Sequence, residues 1–220
     1  MSPGNTLNTF QLGKFKVGLG ICHDMRFSEM AALYRKQGCD LLIYPGAFCT
    51  ELGPPHWSLL IRFRALENQT FVIAASPARD TKSNYVAWGH SMVADPWGTI
   101  VEEANEKDMD LYVDLDFTLR ENIKRQIPIG NQRRTDIYDT IDMKNIKIRS
   151  ETKLPFTNTG CWASTWLTGT RGGWQRRRQR QQWSVVTRQW RRFKQVVAKP
   201  MSTAPVAKVT LRPFAKRCIF

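Results

Sequence analysis

FKVGLGICHDMRFSEMAALYRKQGCDLLIYP, residues 15–45, changes its periodicity twice. Phe15, Val17, Leu19 and Ile21 alternate with Lys16, Gly18 and Gly20, the pattern of a strand with one buried face. From Ser28 the spacing turns helical. Met30, Leu33 and Tyr34 fall at i, i+3 and i+4, Ser28 stands where it can cap the start, and Gly38 where it can close the end. Arg35 and Lys36 in the last turn suit the negative end of the helix dipole. CDLLIYP, residues 39–45, is then a short apolar run of the kind expected for a strand covered on both faces. Strand, helix and strand in this compass predict a crossover unit with two parallel strands.

The alternation continues outward. Pro54 and Pro55 open a helix whose Trp57, Leu60, Ile61 and Leu66 fall near one face. TFVIAAS reads as a strand, SMVADPWGTIV as a hairpin around DPWG with Gly98 serving the turn, and LYVDLD as a further strand. Asp116 is placed to cap a last helix ending before Pro128. Together these elements predict an α/β layered domain. The first clear strand begins at Phe15, and four or five strands make a thin sheet for this much apolar helix surface. A partner half is therefore expected to be missing.

Charge divides the chain sharply. Of the 33 Lys and Arg, 15 lie after Ser150, whereas only Glu151 of the 19 acidic residues does. The preceding part is neutral, so the net charge of +14 belongs to the tail and says nothing of an anionic partner for the rest. That tail also holds Trp162, Trp166, Trp174, Trp183 and Trp190, interleaved with arginine. Five cysteines without a CxxC pair, and no secretory leader, fit a reducing intracellular compartment. No apolar run approaches the roughly 20 residues that a membrane span needs.

Cys22 ends the first strand, where parallel sheets gather functional residues, and it precedes a helix whose dipole favours a thiolate. It reads either as a nucleophile or as one more small buried residue. Cys39 and Cys49 have no charge pattern around them. The histidines offer no obvious base. His23 neighbours Cys22 on an extended chain and points away, His56 suits a surface or capping role, and His90 a hydrogen-bonded one. Neither an HExxH motif nor clustered ligands suggest a metal, and no cofactor is expected. Arg26 can orient a carboxylate or brace the bend through Asp24 and Glu29, with bracing favoured; Arg79 and Asp80 read as a loop ion pair.

The ordered blocks GLGICHDMRF, GCDLLIYPGAF, a helix running from HW to RALEN, ASPARD, YVAWGHSMVADPWG and RRTDIY resemble the carbon–nitrogen hydrolases of the nitrilase superfamily, specifically the omega-amidase branch, over about residues 10 to 144. The resemblance implies an αββα sandwich, pairing into a homodimer, a cytosolic or mitochondrial compartment, and a Cys-Glu-Lys catalytic set acting on a small-molecule amide. It identifies Cys22 as the nucleophile and His23 as a main-chain donor to the oxyanion. The turn Gly46, Ala47 and Phe48 follows the next strand end, where small residues let the backbone approach a substrate, and with Arg26 is expected to line the pocket. Short dicarboxylate monoamides such as 2-oxoglutaramate are the implied substrates. His23 stands where the branch usually carries tyrosine.

The family's glutamate and lysine precede the cysteine by more than the 21 residues present here. Those 21 contain no Glu, and their only lysines are Lys14 and Lys16. The expectation is thus a partial αββα sandwich lacking its N-terminal half over residues 1–148, impaired or inactive alone, followed by a disordered or aberrant basic tail over 149–220. The rival readings are a nucleic-acid-binding tail, with arginines on phosphates and tryptophans on bases, and a non-catalytic interaction fragment.

Overall fold

A computed structural model of the chain describes residues 4–144, 199–200 and 206–211. The quoted stretch folds as β2 (Phe15–Leu19), a single 3-10 turn (Cys22–Arg26), α1 (Ser28–Lys36) and β3 (Leu41–Pro45). β2 and β3 are parallel, with Val17 beside Leu41 and Leu19 beside Ile43. Ser28 is the first helical residue, not the cap. Phe27 takes the cap position without a side-chain hydrogen bond. α2 (Gly53–Asn68) carries its prolines in the first turn and leads to β4 (Phe71–Ala75), parallel to β3; β5 (Met92–Ala94) and β6 (Ile100–Glu103) form the expected hairpin.

One strand escapes the alternation pattern. β1 (Asn8–Leu12) pairs antiparallel with β2 and completes a six-stranded sheet in the order β1-β2-β3-β4-β5-β6. β7 (Leu111–Asp116) belongs to a second sheet, ordered β7-β9-β8, with β8 (Lys199–Pro200) and β9 (Val206–Leu211) drawn from the tail. The layers are therefore helix, sheet and sheet, part of an αββα sandwich.

Two cores follow from these layers. Between the sheets, Phe15, Val17, Leu41, Ile43, Phe71 and Ile73 meet Leu111, Val113, Leu115, Val209 and Leu211. On the opposite face, Leu42, Tyr44, Val72 and Met92 meet Tyr34 of α1 and Trp57 and Ile61 of α2. β2 is thus buried on both faces, contrary to its alternating sequence, because Gly18 and Gly20 leave room for aromatic rings. A Cβ would lie 2.6 Å from the Tyr34 ring at Gly18 and 2.4 Å from the Tyr44 ring at Gly20. α2 buries Trp57, Ile61, Arg64 and Ala65, but Leu66 lies with Leu59 and Phe63 on an exposed stripe.

α3 (Phe117–Gln126) begins as expected, with the Asp116 carboxylate accepting the Thr118 N–H at 2.9 Å. Arg120 then ties α3 to the start of β3 through Asp40, at 2.6 Å. A short α4 (Ile129–Gln132) follows. Among the described residues no helix is long and apolar enough to cross a membrane.

The expectation of an irregular tail fails for Val206–Leu211. Ala207, Val209 and Leu211 alternate inward and are buried, while Lys208 lies 4.0 Å from Asp114 on the outer face. The interleaved tryptophans and arginines of the tail, including the WQRRRQRQQW run at residues 174–183, fall outside the described residues. Placing a charge at Val209 should cost about 3 kcal/mol, because an unpaired carboxylate would be buried between the sheets. Urea unfolding of Val209→Asp is expected to show that loss; an unchanged midpoint would mean that β9 is not part of the core.

Candidate active site

The parallel strands β2, β3 and β4 all end on one side of the sheet, and the chain leaving β2 bends there. Cys22 carries φ 47, a left-handed conformation rarely held by a residue with a Cβ. Two groups fix the bend. The Ile21 N–H donates to the Asp24 carboxylate at 2.8 Å, and the Asp24 N–H donates back to the Ile21 carbonyl at 2.9 Å. From α2, the buried Arg64 donates through Nε to the Met25 carbonyl and through Nη2 to the Arg26 carbonyl, both at 2.8 Å. Glu67 neutralises that guanidinium at 2.5 Å. Arg64 escapes a sequence reading because an arginine in an amphipathic helix normally marks the exposed side; its only signal is its position in the RALEN block.

The loop after β3 closes against this bend. Gly46 approaches so nearly that a Cβ there would lie 3.1 Å from the Cys22 Cα and 3.4 Å from the Trp57 ring. The N–H groups of Ala47 and His23 both face the Cys22 sulfur and favour its anion. Burial outweighs them and pushes the thiol above the ordinary cysteine range, with the Asp24 charge adding to the rise and Arg26 opposing it. Cys39 is pushed up to about 11, chiefly by burial, and Cys49 also upward, first by burial and then by its hydrogen bond to Glu51.

The structure brings together Cys22, the His23 main chain, Gly46 and Ala47, with Phe48 and Arg26 beside them. Arg26 does not brace the bend through Asp24 or Glu29. Its guanidinium lies 4.8 Å over the Phe48 ring, with Nη1 3.4 Å from His56 Nδ1, and forms no ion pair among the described residues. The His23 ring packs edge-on against Phe27 at 5.5 Å. His90 stacks on Trp88, turns Nδ1 to Glu103 at 3.0 Å and gives its carbonyl to Trp57 Nε1 at 2.5 Å. Arg79, read as the partner of Asp80, instead stacks over Trp88 and donates to its carbonyl at 2.8 Å. No group of metal-ligating side chains occurs among the described residues.

A half-buried thiol at the carboxyl ends of parallel strands, bent into a left-handed turn with main-chain donors towards it, can serve as an acyl-transfer nucleophile. The chain belongs to the carbon-nitrogen hydrolase family, whose pattern matches residues 1–125. It is 52% identical over 144 residues to mouse omega-amidase NIT2 and 49% identical over 144 residues to the human omega-amidase NIT2, in each case over 66% of this chain and 52% of the relative. It thus spans about half the length of the curated relatives it matches. Among solved structures it resembles Saccharomyces cerevisiae Nit3, a member of branch 10 of the nitrilase superfamily, with 46% identity, a TM-score of 0.59 and coverage of 61% of this chain and 49% of the other. The C. elegans NitFhit protein is similar at 37% identity and a TM-score of 0.52, over 57% of this chain and 30% of that one.

Since the thiolate is the reactive species, a raised pKa leaves less of it at any pH below the midpoint. Iodoacetamide labelling of Cys22, followed by peptide mass spectrometry, should therefore show a midpoint above the value of about 8.5 for a free cysteine. A midpoint at or below that value would contradict the burial of the sulfur.

Proposed function

We propose that this chain carries the nucleophile of an omega-amidase-type site acting on short dicarboxylate monoamides, with 2-oxoglutaramate as the representative substrate. The observation that carries the reading is Cys22 at φ 47 with the His23 and Ala47 N–H groups turned to its sulfur. In the reaction Sγ adds to the amide carbonyl, the thiol proton passes through a base to the leaving nitrogen, and ammonia departs. Water then cleaves the thioester, giving the dicarboxylate and restoring the thiol. The His23 main-chain N–H donates to the oxyanion of the tetrahedral intermediates. Arg26, without an ion pair among the described residues, takes the far carboxylate of the substrate, which supports a dicarboxylate monoamide over a neutral amide.

The thiol needs a proton acceptor, because burial holds it protonated. Asp24 is engaged at Ile21, and its charge opposes the thiolate. Lys16 donates to the Gln37 carbonyl at 2.7 Å, and Lys14 lies over the Phe15 ring. Neither lysine is placed as an oxyanion partner, and the 220-residue chain on its own is therefore a slow catalyst on this reading. The exposed Leu59, Phe63 and Leu66 of α2 provide the apolar contact for a second copy.

Ammonia release from 2-oxoglutaramate tests both parts. The purified chain should turn over at least about 10²-fold more slowly than mouse omega-amidase NIT2, by the usual contribution of one acid–base group, and Cys22→Ala should abolish what remains. Sedimentation of the same preparation should show a dimer. A rate matching the mouse enzyme would remove the claimed impairment, and an equal rate in Cys22→Ala would remove Cys22 as nucleophile.

A further inference from the structure

We propose that Tyr85 is a positioning residue for Cys22, acting through the peptide chain of Ala47. Its hydroxyl donates to the Ala47 carbonyl at 2.7 Å across 38 residues of sequence. Two more contacts hold the same pair of loops together. The Trp88 N–H donates to the Phe48 carbonyl at 2.7 Å, and Cys49 forms an antiparallel bridge with Ala87. On the inner side, the Gly46 N–H donates to the Ala75 carbonyl at 2.9 Å, and the glycine lies against the Cys22 Cα.

The loop after β3 is thus tied at Gly46 by the end of β4 and from Phe48 onward by residues 85–88. Ala47 lies between these anchors, and its carbonyl is held by Tyr85. Fixing its carbonyl through Tyr85 fixes how the residue is turned, and so directs its N–H to the sulfur. Without the hydroxyl, the Ala47–Phe48 peptide plane loses its anchor, the constraint it passes through the Ala47 Cα to the preceding plane weakens, and the N–H directed at Cys22 is held less firmly. A tyrosine is suited to this task because its rigid ring spans the gap while costing little rotamer entropy.

The inference rests on Cys22 as the reacting group, but its test does not need amidase turnover. In the full chain, Tyr85→Phe keeps the ring and removes the hydroxyl. The probe is iodoacetamide, followed at the Cys22 peptide by mass spectrometry as a function of pH. The labelling midpoint is expected to move further up, and the rate at pH ~8 to fall about three- to tenfold, the worth of one ordinary net hydrogen bond. Ser83→Ala serves as the control. It removes the hydroxyl that accepts the Tyr85 N–H at 3.3 Å, loosening the same loop while leaving the Tyr85 hydroxyl in place.

A shift in Tyr85→Phe without one in Ser83→Ala supports the positioning role. Profiles of Tyr85→Phe and unsubstituted chain that coincide, or an equal shift from Ser83→Ala, overturn it. A labelling shift in a chain that releases no ammonia supports this role and counts against the amidase reading alone. Where turnover is measurable, kcat should fall in Tyr85→Phe with KM unchanged.

Discussion

The structure turns on the close approach of two tyrosine rings to β2. Tyr34 and Tyr44 occupy the space that side chains at Gly18 and Gly20 would need, and a Cβ at either position would stand inside the van der Waals envelope of a ring. Tyr34 adds a hydrogen bond from its hydroxyl to the Leu19 carbonyl at 2.5 Å and accepts the Asn8 N–H at 3.1 Å, locking α1 and β1 onto the same strand. Larger residues at the two glycines would lift α1 from the sheet. The bend at Cys22 would then lose the support that keeps an L-residue in the left-handed region, where strain persists only under tight surroundings.

The bend is held from three directions, each a different kind of constraint. Asp24 closes it locally, Arg64 draws in the carbonyls of Met25 and Arg26 from beneath, and Gly46 admits the next strand's loop at contact distance. The buried Arg64 is tolerable because Glu67 pairs with it and both donor directions end on carbonyls. What these contacts produce is a half-buried sulfur with directed donors. The donors favour the anion while the burial opposes it, and the second effect is the larger. A thiol of this kind can attack only when a base takes its proton in the same step, so orientation and deprotonation at Cys22 call for different groups.

The sequence discloses most of what creates this arrangement and hides what refines it. The crossover from β2 through α1 to β3 is legible because its periods differ, and Asp116 is legible because a cap has a fixed chemical form. β1 is not, since all but one of its residues are exposed and it lacks an inward-facing apolar row. β9 does carry alternation, in Ala207, Val209 and Leu211, but short strand patterns are weak within a stretch dominated by arginine and tryptophan. Cys22 stands out through its place at a strand end and its block resemblance. The contacts of Arg26 are not legible, because stacking on Phe48 and approach to His56 join residues up to 30 positions apart. Leu66 illustrates the opposite failure. Its helical spacing suggested burial, yet the helix faces the sheet with Trp57, Ile61 and Ala65 and leaves Leu66 outside.

The most direct test of Cys22 as nucleophile is to look for the bond it would form. The chain is incubated for a long period with 2-oxoglutaramate, quenched in acid to preserve a thioester, and digested for mass spectrometry of its cysteine peptides. If the sulfur attacks the amide, the substrate acyl group appears on Cys22 and on neither Cys39 nor Cys49. An acyl group on another cysteine, or none on Cys22 while ammonia is released, would contradict the proposed chemistry.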